Sequence, residues 1–306
     1  MKDEYTKDFE RRFPNPEEVI RHIDYLKSLD LTKISDSELD KSINDRFKFI
    51  PITSLMIPAG SEIFRARVNP PKTNAFNKLQ DIYAPPSEFI TKYGRLNKPG
   101  ERIFYGAVNF KLAAFEVVQE LRKSFNPSRE HAFLVIGIWK TKVDLHVASI
   151  HNDQNIHDIR TDIKGRYESD QKMFKEGVLE ESVLSANDMM LQFFSEEFTK
   201  SEIRSEFDYR ITNFYMSTLK KMNSRLPPFA EERFDGVNYP SVAMKYKGDN
   251  IALFIDSADS KLEFVNALQV ICANPDFENG DFTAGILHEM ESFQNGEINW
   301  SKELYR

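Results

Sequence analysis

The chain has 306 residues, 41% of them hydrophobic and 29% charged, with a formal net charge of −7. That balance suits a folded protein with a sizeable core rather than a disordered chain, and the acidic excess argues against a surface that coats nucleic acid. The one cysteine, Cys272, excludes a disulfide within the chain and argues against a cysteine-based zinc site.

Residues 1–58 read as a helical N-terminal extension. Pro14-Asn15-Pro16 starts a helix through Glu17 to Leu29, with Val19, Ile20, Ile23, Leu26 and Leu29 at helical spacing. Ser35-Asp36-Ser37 marks a second helix start. Nothing in this stretch suggests chemistry. The N-terminus holds no signal-peptide core, and no apolar run approaches the roughly 20 residues of a membrane helix. The expected location is the cytoplasm, with no membrane and no direct nucleic-acid partner.

Residues 61–68 alternate as a strand around Arg65 and Arg67, and residues 69–100, rich in Pro, Asn, Lys and Gly, form a long loop. A short strand over Ile103–Ala107, a helix over Phe110–Lys123 and a buried strand over Phe133–Trp139 follow. Residues 152–230 are expected to be mostly helical, with an insertion at about 152–200, Lys164–Glu181 exposed and apolar stripes over Asp188–Phe198 and Ile211–Met222. Residues 234–256 return to strands, with a turn at Lys247-Gly248-Asp249 flanked by Val242–Tyr246 and Ile251–Ile255. Val265–Ala273 is a further strand, in which Cys272 fills the core, and a polar tail ends the chain. The organisation expected is an extension over 1–58, a catalytic domain over 59–256 and a C-terminal extension over 257–306 packed on the core.

No dinucleotide fingerprint, P-loop, zinc-protease helix or nucleophile elbow is present, and the six histidines do not cluster. What remains is charge set in apolar surroundings. Glu116 interrupts the apolar run Ala113-Ala114-Phe115-Glu116-Val117-Val118, with Leu112 and Ala113 on its face. A carboxylate there is costly unless paired or used, so it is either a structural salt bridge or a working group.

In order, Phe64-Arg65-Ala66-Arg67, Tyr93-Gly94-Arg95-Leu96-Asn97-Lys98-Pro99-Gly100, Phe104-Tyr105-Gly106, Ala113-Ala114-Phe115-Glu116 and Asp235-Gly236-Val237-Asn238-Tyr239-Pro240-Ser241, with Asn250-Ile251-Ala252-Leu253-Phe254, resemble the RES-domain family. The resemblance covers roughly residues 61–256. It implies an α+β fold similar to ADP-ribosyltransferases, a mixed β core with surrounding helices. It also implies an enzyme that cleaves NAD+ at its nicotinamide–ribose bond, as toxins of bacterial toxin–antitoxin pairs do.

Carried onto this chain, the resemblance makes Glu116, Arg95, Tyr105 and Ser241 catalytic, and Arg65, Arg95, Tyr105, Ser241 and Asn250 NAD+-binding. Arginine forks suit phosphate oxygens, a tyrosine ring stacks on a cationic nicotinamide, and a carboxylate stabilises the oxocarbenium character that glycosidic cleavage builds. Ser241 either bonds the ribose, positions Glu116 or caps its own turn. Asn250 reads equally as a hairpin-turn residue. Arg67 is expected on the side of the strand opposite Arg65, in a surface or salt-bridge role. No cofactor and no metal is expected, NAD+ being the substrate and inorganic phosphate or water the acceptor, with an antitoxin as partner. Two alternatives stand beside this: transfer of ADP-ribose to a macromolecule, and a catalytically silent binding module.

Overall fold

Asn15 opens the first helix. Its side chain accepts from Glu18 N at 2.9 Å while Glu18 Oε2 accepts from Asn15 N at 3.1 Å, a reciprocal cap with Pro16 in the first turn. The computed structural model describes residues 8, 12–47, 49–69, 76–122, 131–150, 180–227, 230–242, 248–276 and 281–301. The expected exposed helix from Lys164 lies, up to residue 179, outside the described residues.

Helices α1 (Pro16–Ser28) and α2 (Asp36–Phe47) lead into strands β1 (Thr53–Ile57) and β2 (Glu62–Val68) and a short helix α3 (Leu79–Ile82). Strand β3 (Ile103–Ala107), helix α4 (Phe110–Arg122) and strands β4 (His131–Thr141) and β5 (Leu145–Ser149) follow. Helices α5 (Glu181–Phe198) and α6 (Arg210–Asn223) precede the hairpin of β6 (Gly236–Pro240) and β7 (Asp249–Phe254). Helix α7 (Ile255–Lys261) and strands β8 (Leu262–Asp276), β9 (Asp281–Gln294) and β10 (Glu297–Trp300) complete the described chain. The fold is α+β, as expected: a ten-stranded mixed sheet with helices packed on it, in the order β1-β5-β6-β7-β3-β2-β4-β8-β9-β10. Among the described strands, only β5 and β6 pair in parallel.

Three expectations change. The stretch up to residue 58 is not wholly helical, because β1 pairs with β5 at one edge of the sheet. The expected strand stretch 234–256 holds Gly236–Pro240 and Asp249–Phe254, and of Val242–Tyr246 only Val242, past the end of β6, is among the described residues. The segment from 257 onward is not a layer on the core: β8 pairs along β4 from Leu262 to Ala273, and β9 and β10 extend the sheet edge to edge. The polar tail is therefore largely strand. Arg67 also shares a side with Arg65, since residues two apart on a strand point the same way. Arg65 Nε donates to Ile82 O at 3.2 Å and Arg67 Nη1 to Asp81 O at 2.6 Å, both on α3.

The sheet divides the core by alternation. Ala252 and Phe254 of β7 pack with α1, α2, α5 and α6 around Phe47, Phe193, Phe194, Phe198, Phe214 and Tyr215. Ile251 and Leu253 face the other side, with Phe104, Trp139 and Ala258 of α7. Helix α4 buries Leu112, Phe115 and Val118 against Ala66, Leu134, Ile136 and Val270, each large side chain contributing roughly 1.5–3 kcal/mol. Cys272 is buried there too, as expected.

One junction of the sheet is thin. Strands β2 and β3 pair only at Phe64 opposite Ala107, whereas β2 pairs with β4 along all of Glu62–Val68. Arg65 fills this parting, its Nη1 donating to Tyr105 O at 2.7 Å.

Candidate active site

A cavity of about 1040 Å³ opens at this parting. Its walls come from β2 (Phe64, Arg65, Arg67), β3 (Tyr105, Gly106), α4 (Ala113, Glu116, Val117), the loop Tyr93–Asn97, the segment Lys200–Ile203 with Tyr209, and the hairpin residues Tyr239, Pro240, Val242 and Asn250.

Glu116 stands on the α4 wall. Its Oε1 accepts from Ser241 Oγ and from Asn250 Nδ2, each at 2.6 Å. Among the described residues it has no ion pair, so the salt-bridge reading is not what the structure contains. Two neutral donors on one oxygen fix the carboxylate's orientation without cancelling its charge. Ser241, fully buried, lies behind Glu116 rather than on the cavity wall. Its backbone N donates to Gly248 O at 2.9 Å, closing the end of the β6–β7 hairpin. Asn250 is not a turn residue, since it sits in β7 with Tyr239 opposite on β6.

Tyr105 points its hydroxyl at the loop. It donates to Asn97 Oδ1 at 2.9 Å and accepts from Leu96 N at 2.8 Å. Burial, reinforced by Tyr239, pushes its phenol well above the usual tyrosine range, so it stays protonated and keeps donating across neutral pH. Gly94 permits this packing, because a Cβ there would meet Asn97 Oδ1 at 2.3 Å.

Arg95 projects from the same loop toward the opposite wall. Its Nη1 donates to Phe198 O, and Nη2 to Lys200 O at 3.3 Å, with the guanidinium carbon 5.2 Å from the Tyr209 ring centre. Lys200 Nζ in turn meets both oxygens of buried Glu197, at 2.9 and 2.7 Å. Burial raises that carboxyl even though Lys200 opposes the shift. Arg65 and Arg95 thus both reach the cavity, but each spends part of its fork on backbone carbonyls. Among the described residues, no three His, Cys, Asp or Glu side chains gather as a metal site requires, and no helix is long and apolar enough to cross a membrane.

The structure therefore brings all six expected residues to one place: Glu116, Ser241 and Asn250 as a bonded group, with Arg65, Arg95 and Tyr105 around the cavity. Sequence reasoning missed Asn97, which anchors Tyr105. It also missed Thr212 and Asn213 of α6, buried side chains that donate to Arg95 O and, at 2.8 Å, to Gly94 O. The signal was there in Ile211-Thr212-Asn213-Phe214, two polar residues set into an apolar stripe.

No curated protein matches the chain. Among solved structures, it is similar to a chain in the crystal structure of the M. tuberculosis MbcT–MbcA toxin–antitoxin complex, with 11% identity, a TM-score of 0.34, and 70% of this chain and 86% of that chain covered. That likeness is too slight to carry chemistry. The sequence pattern of the RES domain matches residues 63–270, more than half of the chain and the span that holds all six site residues. The chain belongs to the RES-domain family.

Proposed function

We propose that the protein consumes NAD+ by cleaving the bond between nicotinamide and ribose, with inorganic phosphate or water as acceptor, and that it acts as a cytoplasmic toxin held in check by an antitoxin. The observation that carries this reading is the Glu116 carboxylate, oriented by Ser241 and Asn250 through one oxygen and lacking a cationic partner among the described residues, on the wall of a cavity that Arg65, Arg67 and Arg95 also line. Membership of the RES-domain family points the same way.

In the proposed reaction, the C1′–N bond of the nicotinamide riboside breaks and its electron pair leaves with the nicotinamide nitrogen. Nicotinamide departs neutral, so no general acid is required. The positive charge that develops on the ribose is stabilised by Glu116. Ser241 and Asn250 act through Glu116, holding its carboxylate so that it need not reorganise as charge develops. Tyr105 and the arginines bind the cation and the diphosphate. The acceptor oxygen then bonds to C1′; phosphate enters as an anion, and water loses its proton to solvent.

The acceptor is tested by incubating the purified chain with NAD+ labelled in the adenylate half, with and without inorganic phosphate. Nicotinamide release that requires phosphate, with a phosphorylated ADP-ribose as product, is the expected result, and release in its absence identifies water instead. Label recovered on protein or nucleic acid would overturn both acceptors in favour of transfer.

A further inference from the structure

The loop that presents Arg95 and Asn97 is held from inside by Asn97, whose Nδ2 donates to Lys98 O at 3.2 Å and Lys92 O at 3.4 Å. Within it, the backbone closes one turn, Gly94 N to Asn97 O at 3.0 Å. Its outer fastenings include Glu206, whose Oε2 accepts from Tyr93 N at 2.7 Å, and helix α2, far away in sequence. Asp36, the first residue of α2, accepts through Oδ2 from Tyr93 Oη at 3.0 Å and from Lys98 Nζ at 3.1 Å, gripping the loop at both ends. Its other oxygen, Oδ1, accepts from Arg210 Nε at 2.8 Å and Nη2 at 2.6 Å.

Arg210 begins α6 and is only 4% exposed, and its Nη1 also donates to Leu31 O and Ile34 O at 2.6 and 2.5 Å. The same helix holds the loop's carbonyls through Thr212 and Asn213. Burial alone would raise the Asp36 carboxyl, but the bonds from Arg210 and Lys98 outweigh it and keep the group below the usual carboxylate range.

We infer that Asp36 is a positioning residue of the active site, clamping the Tyr93–Lys98 loop so that Arg95 and Asn97 meet the substrate in register. Asp36 lies outside residues 63–270, so this clamp is supplied by the N-terminal helices and not by the segment that matches the family. The inference rests on the NAD+ reading for its effect on catalysis, though not for the clamp itself. Arg95 binds the ground state and the transition state alike, so loosening it weakens binding more than turnover. A displacement of about 1 Å at such a group costs up to about 10²-fold.

The test compares the full-length wild type with Asp36→Asn, Tyr93→Phe and Lys27→Met, by steady-state nicotinamide release and by amide hydrogen exchange. Tyr93→Phe removes one hydroxyl and keeps the ring on the cavity wall. Lys27→Met breaks the surface pair with Glu196, at 3.1 Å, which ties α1 to α5 without touching the loop. Asp36→Asn is expected to raise KM for NAD+ about tenfold with kcat within about twofold, and to speed exchange at Gly94, Leu96 and Asn97. Tyr93→Phe does the same to a smaller degree, and Lys27→Met changes neither quantity. Wild-type KM and exchange in Asp36→Asn would overturn the clamp. So would a KM rise as large in Lys27→Met, which would mean general loosening. If Asp36→Asn fails to fold, Tyr93→Phe decides by the same two readings. A wild type that releases no nicotinamide sinks the NAD+ reading instead, and loop exchange still decides the clamp.

Discussion

Glu116→Ala is expected to lower nicotinamide release about 10³-fold while the chain stays folded. Among the described residues the carboxylate is the one anionic group on the α4 wall of the cavity, and two neutral donors hold it ready. Removing it withdraws the charge that stabilises the ribosyl cation, and nothing nearby replaces it. Stability changes far less. Alanine favours a helix more than glutamate does, and no ion pair among the described residues is broken. The cost is the acceptor lost by buried Ser241 and by Asn250, about 1–3 kcal/mol. Activity and the urea midpoint of the same preparation separate the two effects: a rate loss of this size with a modest shift in midpoint is the expected pair of results.

Gly236→Ala is expected to have the opposite signature, removing about 4 kcal/mol or more of stability. Gly236 lies in β6, buried, opposite Leu253 of β7 and Val147 of β5. A Cβ built there meets Ala252 O at 2.0 Å and Leu253 Cα at 2.8 Å. Both atoms are backbone in the middle of a paired sheet, so no flexible side chain can give way. The strands must separate, and the bonds that Asp235 makes on either side, from its N to His146 O at 2.6 Å and from Phe254 N to its O at 2.8 Å, are strained with them. A loss of that size is a large part of the roughly 5–15 kcal/mol by which domains are stable. Chemical denaturation with an unchanged slope and a much lower midpoint is the expected outcome.

The segments that sequence rendered well are those whose burial is one-sided and local. Strand Ile103–Ala107 was legible to the residue, and α4 and α6 nearly so, because their apolar periods match the faces they bury. Strand β6 was not. Its five residues include Gly236, Asn238 and Pro240, which resemble a turn, yet all five are buried because β5 and β7 flank the strand on both edges. Strand β9 failed for the converse reason: most of its side chains are exposed or half-exposed, so a long strand reads as a polar tail.

The site divides in the same way. Glu116 stood out locally as a charge in an apolar helix, but its partners lie 125 and 134 residues further on, where no spacing rule reaches. Their convergence was legible only through the ordered family motifs. Asp36 had no such guide, being 174 residues from Arg210 and outside the family segment.

Nicotinamide release from NAD+ by the purified wild type, set against Glu116→Gln, tests the central claim most directly. The glutamine keeps the shape and an oxygen that can accept from Ser241 and Asn250, so it removes the charge and little else. Release by the wild type and its near-complete loss in Glu116→Gln, with equal thermal midpoints, is the predicted result. Equal release by the two proteins, or none by the wild type with phosphate or with water alone, would contradict it.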